Sequence, residues 1–530
     1  MNYSLLRTTS RHNDERNFDT YIDTYNSNNS NNEIKRSSQD KNKMKTQIVS
    51  GMFWKFAERI IAQGVSFIVT VVLARLLMPD DYGAVAIVSV FINIATVFLT
   101  SGLNVSLIQK KNANDTDFST IFWCNLSIGM FLYLVLFFAA PFIASAYKQP
   151  ILCPVIRFLS ICLPISSFQS IQAAYISKTM QFRKFFFSTI IGTLISAIVG
   201  IAMAYKGFGI WALVTQHITN TVIDTIVLFI TIRWRPRFVF SKASAIPLTK
   251  FGYKITLTDL IATILNNLVS FLIGIKYTSS DLAYYTKGLQ VPRLFRDNIF
   301  TTVISVLFPA MSNISDNVEY VKKLTRRAIK LMCYLIFPMM FGMLTINKTF
   351  IVALFTEKWI AMSPYVIISC LEAVMSVSPT IGFQAVKSLG RSDILLKNEV
   401  LTKPVYIIFI VIGMFISPMA MAIGMLLTSI YSNIIAMVLI RSTVKYSLRE
   451  QLADVIKPFT ASCVMLVVVW CVGIIDINHV FKLIVQILVG AVVYLRISLT
   501  IKDESYNILR GLFLSKISMI FSSRRRAREL

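Results

Sequence analysis

The chain has 530 residues, of which 55% are hydrophobic and only 15% charged, with a mean hydropathy of +0.63. A soluble protein usually carries about 25% charged residues, so an ordinary soluble enzyme is excluded. The apolar runs are also too long for the roughly 10-residue alternating strands of an outer-membrane barrel, which leaves an all-α polytopic membrane protein. The formal net charge of +26 would suit nucleic acid, but the cations recur in alternate connections between apolar segments. That is the positive-inside pattern of cytoplasmic loops, so topology accounts for the charge and no nucleic-acid partner is expected.

Residues 1–46 are polar and include YNSNNSNNEIKRSSQDKNK. Too little apolar surface is present to offset the entropy of ordering, which predicts a disordered tail. It has no apolar core of a signal peptide and, being basic, is expected in the cytoplasm. Fourteen spans are then predicted, at about 51–77, 82–108, 118–145, 151–176, 183–205, 208–232, 251–275, 281–310, 328–346, 363–386, 398–417, 419–440, 458–475 and 479–500. An even number of crossings puts both termini in the cytoplasm. The basic connections hold Lys110 and Lys111; Lys178, Arg183 and Lys184; Arg233, Arg235, Arg237 and Lys242. They continue with Lys322, Arg326, Arg327 and Lys330, then Lys387 and Arg391, then Arg441, Lys445 and Arg449, whereas connections such as YKQP at 147–150 hold few cations. After Ile501, Leu509, Leu512, Phe513, Ile517 and Ile520 recur at helical spacing ahead of RRRAR. A basic amphipathic tail lying against anionic membrane lipid fits that pattern.

FWKFAERI at 53–60 opens the first span and LTKFGYKI at 248–255 opens the seventh. Each is followed by a long helix and then by a turn with Asp ahead of Tyr, MPDDYGA and TSSDLAYY. Such a parallel repeat predicts a six-helix lobe over 47–242, a second over 243–445, and a substrate path between them. Residues 446–501 would add two further transmembrane helices, and 502–530 the basic tail. The seven cysteines all fall in apolar segments, where they pack as small hydrophobes. The three histidines, His12, His217 and His479, are too scattered for a metal site. Neither a metal nor another cofactor is expected.

Ionisable and polar side chains inside a span usually face a bundle interior or a water-filled cavity. At 100° per residue, Lys55, Arg59, Gln63, Ser66 and Thr70 share roughly an 80° arc of the first span. Ser89, Asn93, Thr96, Thr100 and Asn104 share a face of the second, and Thr256, Asp259, Thr263, Asn266 and Ser270 a face of the seventh. Thr286, Gln290, Arg293, Arg296 and Asp297 fall within about 120° on the eighth. A single stripe of this kind also arises where Ser, Thr and Asn glue helices together. Four stripes on the matching first pairs of two halves point instead to one shared hydrated cavity. Gln216, Asn220 and Asp224 on the sixth span, Ser369, Glu372, Ser376 and Thr380 on the tenth, and Arg157 on the fourth are packing pairs or coupling-ion sites.

The eighth span needs KGLQVPRLFRDNIF, at 287–300, because the apolar IFTTVISVLFPAM alone reaches only about 20 Å at 1.5 Å per residue. Arg293 and Arg296 are thereby drawn into the bilayer. Asp297, four residues on, is expected to neutralise Arg293 in part.

GMFWKFAERIIAQGVSFIVTVVLARLLMPDDYGAVAIVSVF, SGLNVSLIQ and DFSTIFWCNLSIG together resemble the amino-terminal half of bacterial polysaccharide flippases. These form a branch of the multidrug/oligosaccharidyl-lipid/polysaccharide exporter superfamily. GIAMAYKGFGIWALVTQ, KFGYK and VLFPAMS extend the resemblance over about residues 48–450. It implies two six-helix lobes around a V-shaped cavity lined by helices 1, 2, 7 and 8. It further implies alternating-access movement of undecaprenyl-pyrophosphate-linked oligosaccharides across the bacterial cytoplasmic (inner) membrane. Lipopolysaccharide, capsule or exopolysaccharide assembly would follow, with a polysaccharide polymerase as a partner and H⁺, Na⁺ or no ion driving transport.

A pyrophosphate attracts Arg and Lys, which nominates Arg59, Arg293 and Arg296, assisted by Lys55 and Lys287. Asn93, Asn104, Asn266 and Gln290 suit sugar hydroxyls, and Asp224, Asp259 and Glu372 are the candidates for ion coupling. A cation-coupled drug antiporter of the same superfamily would use such acids but usually has twelve helices. A lipid II (peptidoglycan precursor) flippase shares fourteen helices and a cationic cavity, but resembles the first-span block less. A membrane glycosyltransferase would need a large loop or a catalytic domain, and an ATP-driven exporter a G-x-x-x-x-G-K-[ST] motif. Neither is present, so no catalytic residue is assigned and a transporter rather than an enzyme is expected.

Overall fold

The computed structural model describes residues 50, 54–55, 57–475, 477–501 and 505–506. The predicted disordered amino-terminal tail and, apart from residues 505–506, the basic amphipathic tail lie outside these residues. Fourteen of the described helices are long and apolar enough to cross a membrane, and no strand occurs among the described residues. The first seven spans are Ala57–Leu76, Pro79–Gln109, Asp115–Ala146, Leu152–Thr179, Phe182–Tyr205, Ile210–Thr231 and Lys242–Lys276. The second seven are Ser279–Ser312, Val318–Phe355, Glu357–Ser388, Ser392–Ile416, Pro418–Val444, Leu448–Gly473 and His479–Thr500.

Each predicted span has its helix, but the seventh, ninth and thirteenth start earlier than hydropathy indicates. Their first turns are polar and sit where side chains cap the free backbone N–H groups. Ser241 Oγ accepts from Ser244 N–H at 3.3 Å, Asn317 Oδ1 from Glu319 N–H at 3.0 Å, and Ser447 Oγ from Glu450 N–H at 3.3 Å. Pro404 lies inside the eleventh helix and Pro418 opens the twelfth, where its missing N–H costs nothing.

The repeat is visible in how the second and eighth spans begin. Asp81 accepts the Met78 N–H at 3.1 Å, and Asp281 accepts the Thr278 N–H at 3.2 Å. Two six-helix bundles result, with the thirteenth and fourteenth spans packed on the ninth. Arg326 holds this added hairpin with bonds of 2.6 and 3.0 Å to Asp454 and 3.1 Å to Glu450. The fully buried Tyr446 donates its hydroxyl to Asp454 at 2.8 Å.

The bundles interlock at both ends. Connections rich in Lys and Arg mark one end, the basic face. At the opposite face the first span bonds the ninth and tenth spans of the other bundle. Trp359 Nε1 donates to the Ala74 carbonyl at 2.9 Å, and Arg75 Nε to the Leu354 carbonyl at 2.8 Å. Beside them, Ser279 Oγ donates to Gln149 at 2.8 Å and Ser280 Oγ to Asp80 at 2.7 Å. Gly83 is so close that a Cβ there would stand 1.8 Å from the Ser279 carbonyl oxygen. Toward the basic face the seventh span crosses the second at Gly102 and Gly252. A Cβ on Gly102 would lie 2.1 Å from the Gly252 carbonyl oxygen, and the Gly102 N–H donates to Thr256 Oγ1 at 3.2 Å.

Candidate functional site

Between these two closures lies a polar chamber of about 640 Å³, walled by the first, second, fifth, sixth, seventh and eighth spans. A cleft of about 360 Å³ between the first and eighth spans adjoins it. Gln63, Ser66, Thr70, Lys287 and Gln290 line both, so the two spaces are continuous. Spacings of three and four residues place Arg59, Gln63, Ser66 and Thr70 along one face of the first span, which is the face turned to the cleft.

The cleft holds Arg59, Lys287, Arg293 and Asp297. Arg59 makes no side-chain hydrogen bond or ion pair among the described residues. The Lys287 ammonium sits 4.5 Å from the Tyr82 ring centroid and donates to Gln290 Oε1 at 3.1 Å. Arg293 donates through Nη2 to Glu372 Oε2 at 3.4 Å, and Glu372 is only 8% exposed. Gly288 makes this pairing possible. A Cβ at that position would lie 2.6 Å from Tyr365 Cβ, so glycine lets the eighth span press against the tenth. Among the described residues, Arg293 Nε and Gln63 Oε1 are buried without hydrogen-bond partners at the same junction. Unmet polar atoms in such a place cost about 1–3 kcal/mol each unless water or a ligand satisfies them.

The expected Arg293–Asp297 pairing is replaced by two others. Arg293 turns to Glu372, and Asp297 accepts from Arg296 Nε at 2.8 Å. A buried carboxylate on a neighbouring span attracts Arg293 more strongly than a half-exposed one on its own helix. Arg296 lies outside the linings of both spaces. Lys55 is exposed and points away from them, 5.5 Å from the Phe182 ring centroid of the fifth span.

Of the nominated sugar ligands, Asn93 and Gln290 line the chamber. Asn104 does not, because the second helix breaks at Ser101, and Asn104 Nδ2 bonds the freed Leu99 carbonyl at 3.0 Å. Its own Oδ1 accepts from Asn125 at 3.2 Å. Asn266 lies to one side of the chamber, whereas its neighbour Asn267 lines it. Asp224 accepts from Ser188 at 2.9 Å and Gln169 at 3.2 Å, knitting the fourth, fifth and sixth spans together. Asp259 is half-buried outside the linings, so Glu372 is the one nominated acid that adjoins the cleft. Arg157 bonds the Phe137 carbonyl at 3.3 Å and stacks on that ring, away from the cavity.

A wall of the chamber comes from residues outside the four stripes: Thr189, Thr193 and Ser196 on the fifth span, and Gln216, His217 and Asn220 on the sixth. Their spacings of three and four residues carry the same helical signal, diluted by the small hydroxyl side chains. Behind the cleft, an apolar groove of about 530 Å³ runs between the ninth, thirteenth and fourteenth spans and includes Phe295 of the eighth. Among the described residues, no group of His, Cys, Asp and Glu could hold a metal ion.

A helical protein crossing the membrane many times, with a polar chamber between two bundles, has known relatives. The chain is 25% identical over 444 residues to the lipopolysaccharide biosynthesis protein WzxC of Escherichia coli K12, a match covering 82% of this chain and 89% of that one. It is 24% identical over 306 residues to the succinoglycan biosynthesis transport protein ExoT of Rhizobium meliloti, covering 58% and 62% of the two chains. The lipid II flippase MurJ, in an inward closed conformation, has the same fold with a TM-score of 0.71. The identity there is 16%, over 86% of this chain and 99% of MurJ. The family profile described as polysaccharide biosynthesis protein matches residues 72–364, and the chain belongs to that family.

Proposed function

We propose that this protein carries undecaprenyl-pyrophosphate-linked oligosaccharide repeat units across the bacterial cytoplasmic membrane by alternating access, for lipopolysaccharide, capsule or exopolysaccharide assembly. One observation carries the reading. A cleft with Arg59, Lys287 and Arg293 opens directly into a polar chamber that shares Lys287 with it and is otherwise lined by neutral hydroxyl, amide and imidazole groups, and an apolar groove lies close by. A lipid-linked sugar is made of those three chemistries in the same order: polyprenyl chain, pyrophosphate, hydroxyl-rich saccharide. Arg59 and Arg293 meet the pyrophosphate with Lys287 at the junction, while Gln290 and Asn93 face the first sugar.

The names of WzxC and ExoT, in lipopolysaccharide biosynthesis and succinoglycan transport, support the same substrate class. The basic face is the cytoplasmic one under the positive-inside rule, which puts both termini in the cytoplasm. The lobe boundary falls between residues 242 and 243, at the end of the basic connection. A polysaccharide polymerase consumes the delivered unit, and any H⁺ or Na⁺ coupling runs through Glu372, the carboxylate at the cleft.

The test is reconstitution of the full chain in liposomes with a fluorescent undecaprenyl-pyrophosphate oligosaccharide on one leaflet. Appearance of the saccharide on the other leaflet, with no uptake of a cationic dye under a pH gradient, is expected. Dye uptake without lipid movement would make the protein a drug antiporter instead.

A further inference from the structure

The chamber wall supplied by the fifth and sixth spans lies outside the cationic cleft, and its composition is one-sided. Thr193, Ser196, Gln216, His217 and Asn220 line it, and no carboxylate does. The only Lys or Arg in the lining is Lys287, at the border with the cleft. That ammonium sits over the Tyr82 ring, donates to Gln290 and is shared with the cleft assigned to the pyrophosphate. Asn220 Nδ2 donates to Ser196 Oγ at 3.3 Å, which fixes the two side chains against each other. Gln216 and His217 make no side-chain hydrogen bond among the described residues, so their donors and acceptors are free for a ligand. Gly200 seats Gln216, since a Cβ at Gly200 would stand 2.9 Å from Gln216 Cβ.

From this wall we infer that the fifth and sixth spans select the sugars bonded next to the pyrophosphate, and select them neutral. The inference rests on the transport reading above and deepens it. Because cleft and chamber share Lys287 and Gln290, a pyrophosphate at the arginines places the first sugars, not the distal ones, against the wall. Amide, hydroxyl and imidazole groups pair with ring hydroxyls in either direction. A uronic acid carboxylate in the same place would lose water without gaining a cation of its own. It would also compete with the pyrophosphate for Lys287. The chamber, at about 640 Å³, is within the about 300–1,000 Å³ usual for small-molecule sites and accommodates the proximal part of a repeat unit.

The experiment uses the full chain in liposomes and two probes that differ at one position. Both are undecaprenyl-pyrophosphate trisaccharides, one with neutral hexoses throughout and one with a hexuronic acid as the second sugar. Movement of the neutral probe at least about tenfold faster is expected, because a site built for hydroxyls leaves the carboxylate unpaired. Gln216→Ala and His217→Ala should each slow the neutral probe about three- to tenfold, the value of one hydrogen bond. Asn220→Lys, which brings a cation to the wall, should narrow the gap between the probes. Equal rates for the two probes in the wild-type protein overturn the inference while leaving the transport reading intact. Unchanged neutral transport in both alanine variants also overturns it. Movement of neither probe overturns the transport reading and the inference with it.

Discussion

Arg293 has a buried carboxylate behind it and an open cleft before it, so its substitution should separate an anchoring role from a ligand role. The side chain is 36% exposed and the Glu372 side chain 10%, with one contact of 3.4 Å between them. The exposed part of the guanidinium is available to an anion, and a hydrogen bond from a charged group is worth about 1.5–3 kcal/mol. Loss of that contact in Arg293→Ala should weaken substrate use about ten- to hundredfold. Arg293→Lys keeps the charge but not the planar fork, and should fall at the mild end of that range. Removing the cation also strands Glu372. Breaking a buried pair costs about 3–5 kcal/mol, and the exposure of Arg293 lowers the expected loss of stability to about 1–3 kcal/mol. The double variant Arg293→Ala/Glu372→Gln removes the stranded charge. It should regain thermal stability in detergent while transport in liposomes stays low. Recovery of transport together with stability would reduce Arg293 to a counterion for Glu372. Glu372→Gln alone also decides its own role: a positioning carboxylate costs a few-fold in transport, whereas a coupling residue abolishes the response to an ion gradient.

Arg326→Ala should loosen the thirteenth and fourteenth spans, because among the described residues it leaves Asp454 with Lys330 at 3.6 Å and the Tyr446 hydroxyl. Thermal unfolding should register a loss of about 1–3 kcal/mol, and an unchanged transition would mean that apolar packing alone holds the hairpin. Asn104→Ala and Asn93→Ala should give opposite profiles. The first should lower stability by about 1 kcal/mol with normal transport per folded molecule, and the second should lower transport at normal stability. Gly252→Leu should force the seventh span off the second, where a Cβ already meets Gly102 backbone at 2.7 Å. Transport should collapse while the protein still inserts, and wild-type rates would show that this contact does not hold the bundles in register.

Helix number, spacing and the polar faces of the first and eighth spans were legible because hydropathy and a 100° periodicity depend only on local sequence. The misplacements have specific physical causes. The stripe on the second span is a straight-helix projection, but the helix breaks at Ser101, and Asn104 turns inward to serve the carbonyl freed there. On the first span, Lys55 shares the phase of Arg59, yet the neighbour it meets is the Phe182 ring. Periodicity gives the face of a helix and says nothing about which partner covers each turn of that face. Asp224 illustrates the same gap, since its neutral partners Ser188 and Gln169 come from two other spans. The wall of the fifth and sixth spans was weakly marked because Thr and Ser there read as ordinary residues of an apolar helix.

The two closures differ in kind, and that difference bears on how a cavity with fixed walls can change sides. At the face opposite the basic connections, the bundles are joined by directed side-chain bonds: Trp359 to Ala74, Arg75 to Leu354, Ser279 to Gln149 and Ser280 to Asp80. Toward the basic face the crossing of the second and seventh spans is mainly glycine against glycine, at Gly102 and Gly252, with the hydroxyls of Thr256 and Ser106 beside them. Backbones in such close contact gain dispersion energy but can part without leaving a charged or strongly polar side chain unpaired. Parting at the other face strands the Arg75 guanidinium, the Trp359 indole N–H and two hydroxyls, each of which must then find water. The bundles therefore hinge most cheaply about the opposite face, opening the chamber toward the basic side. Arg59 lies near that side on the first span and makes no hydrogen bond or ion pair among the described residues, so an incoming anion reaches it before it reaches Arg293 on its Glu372 support.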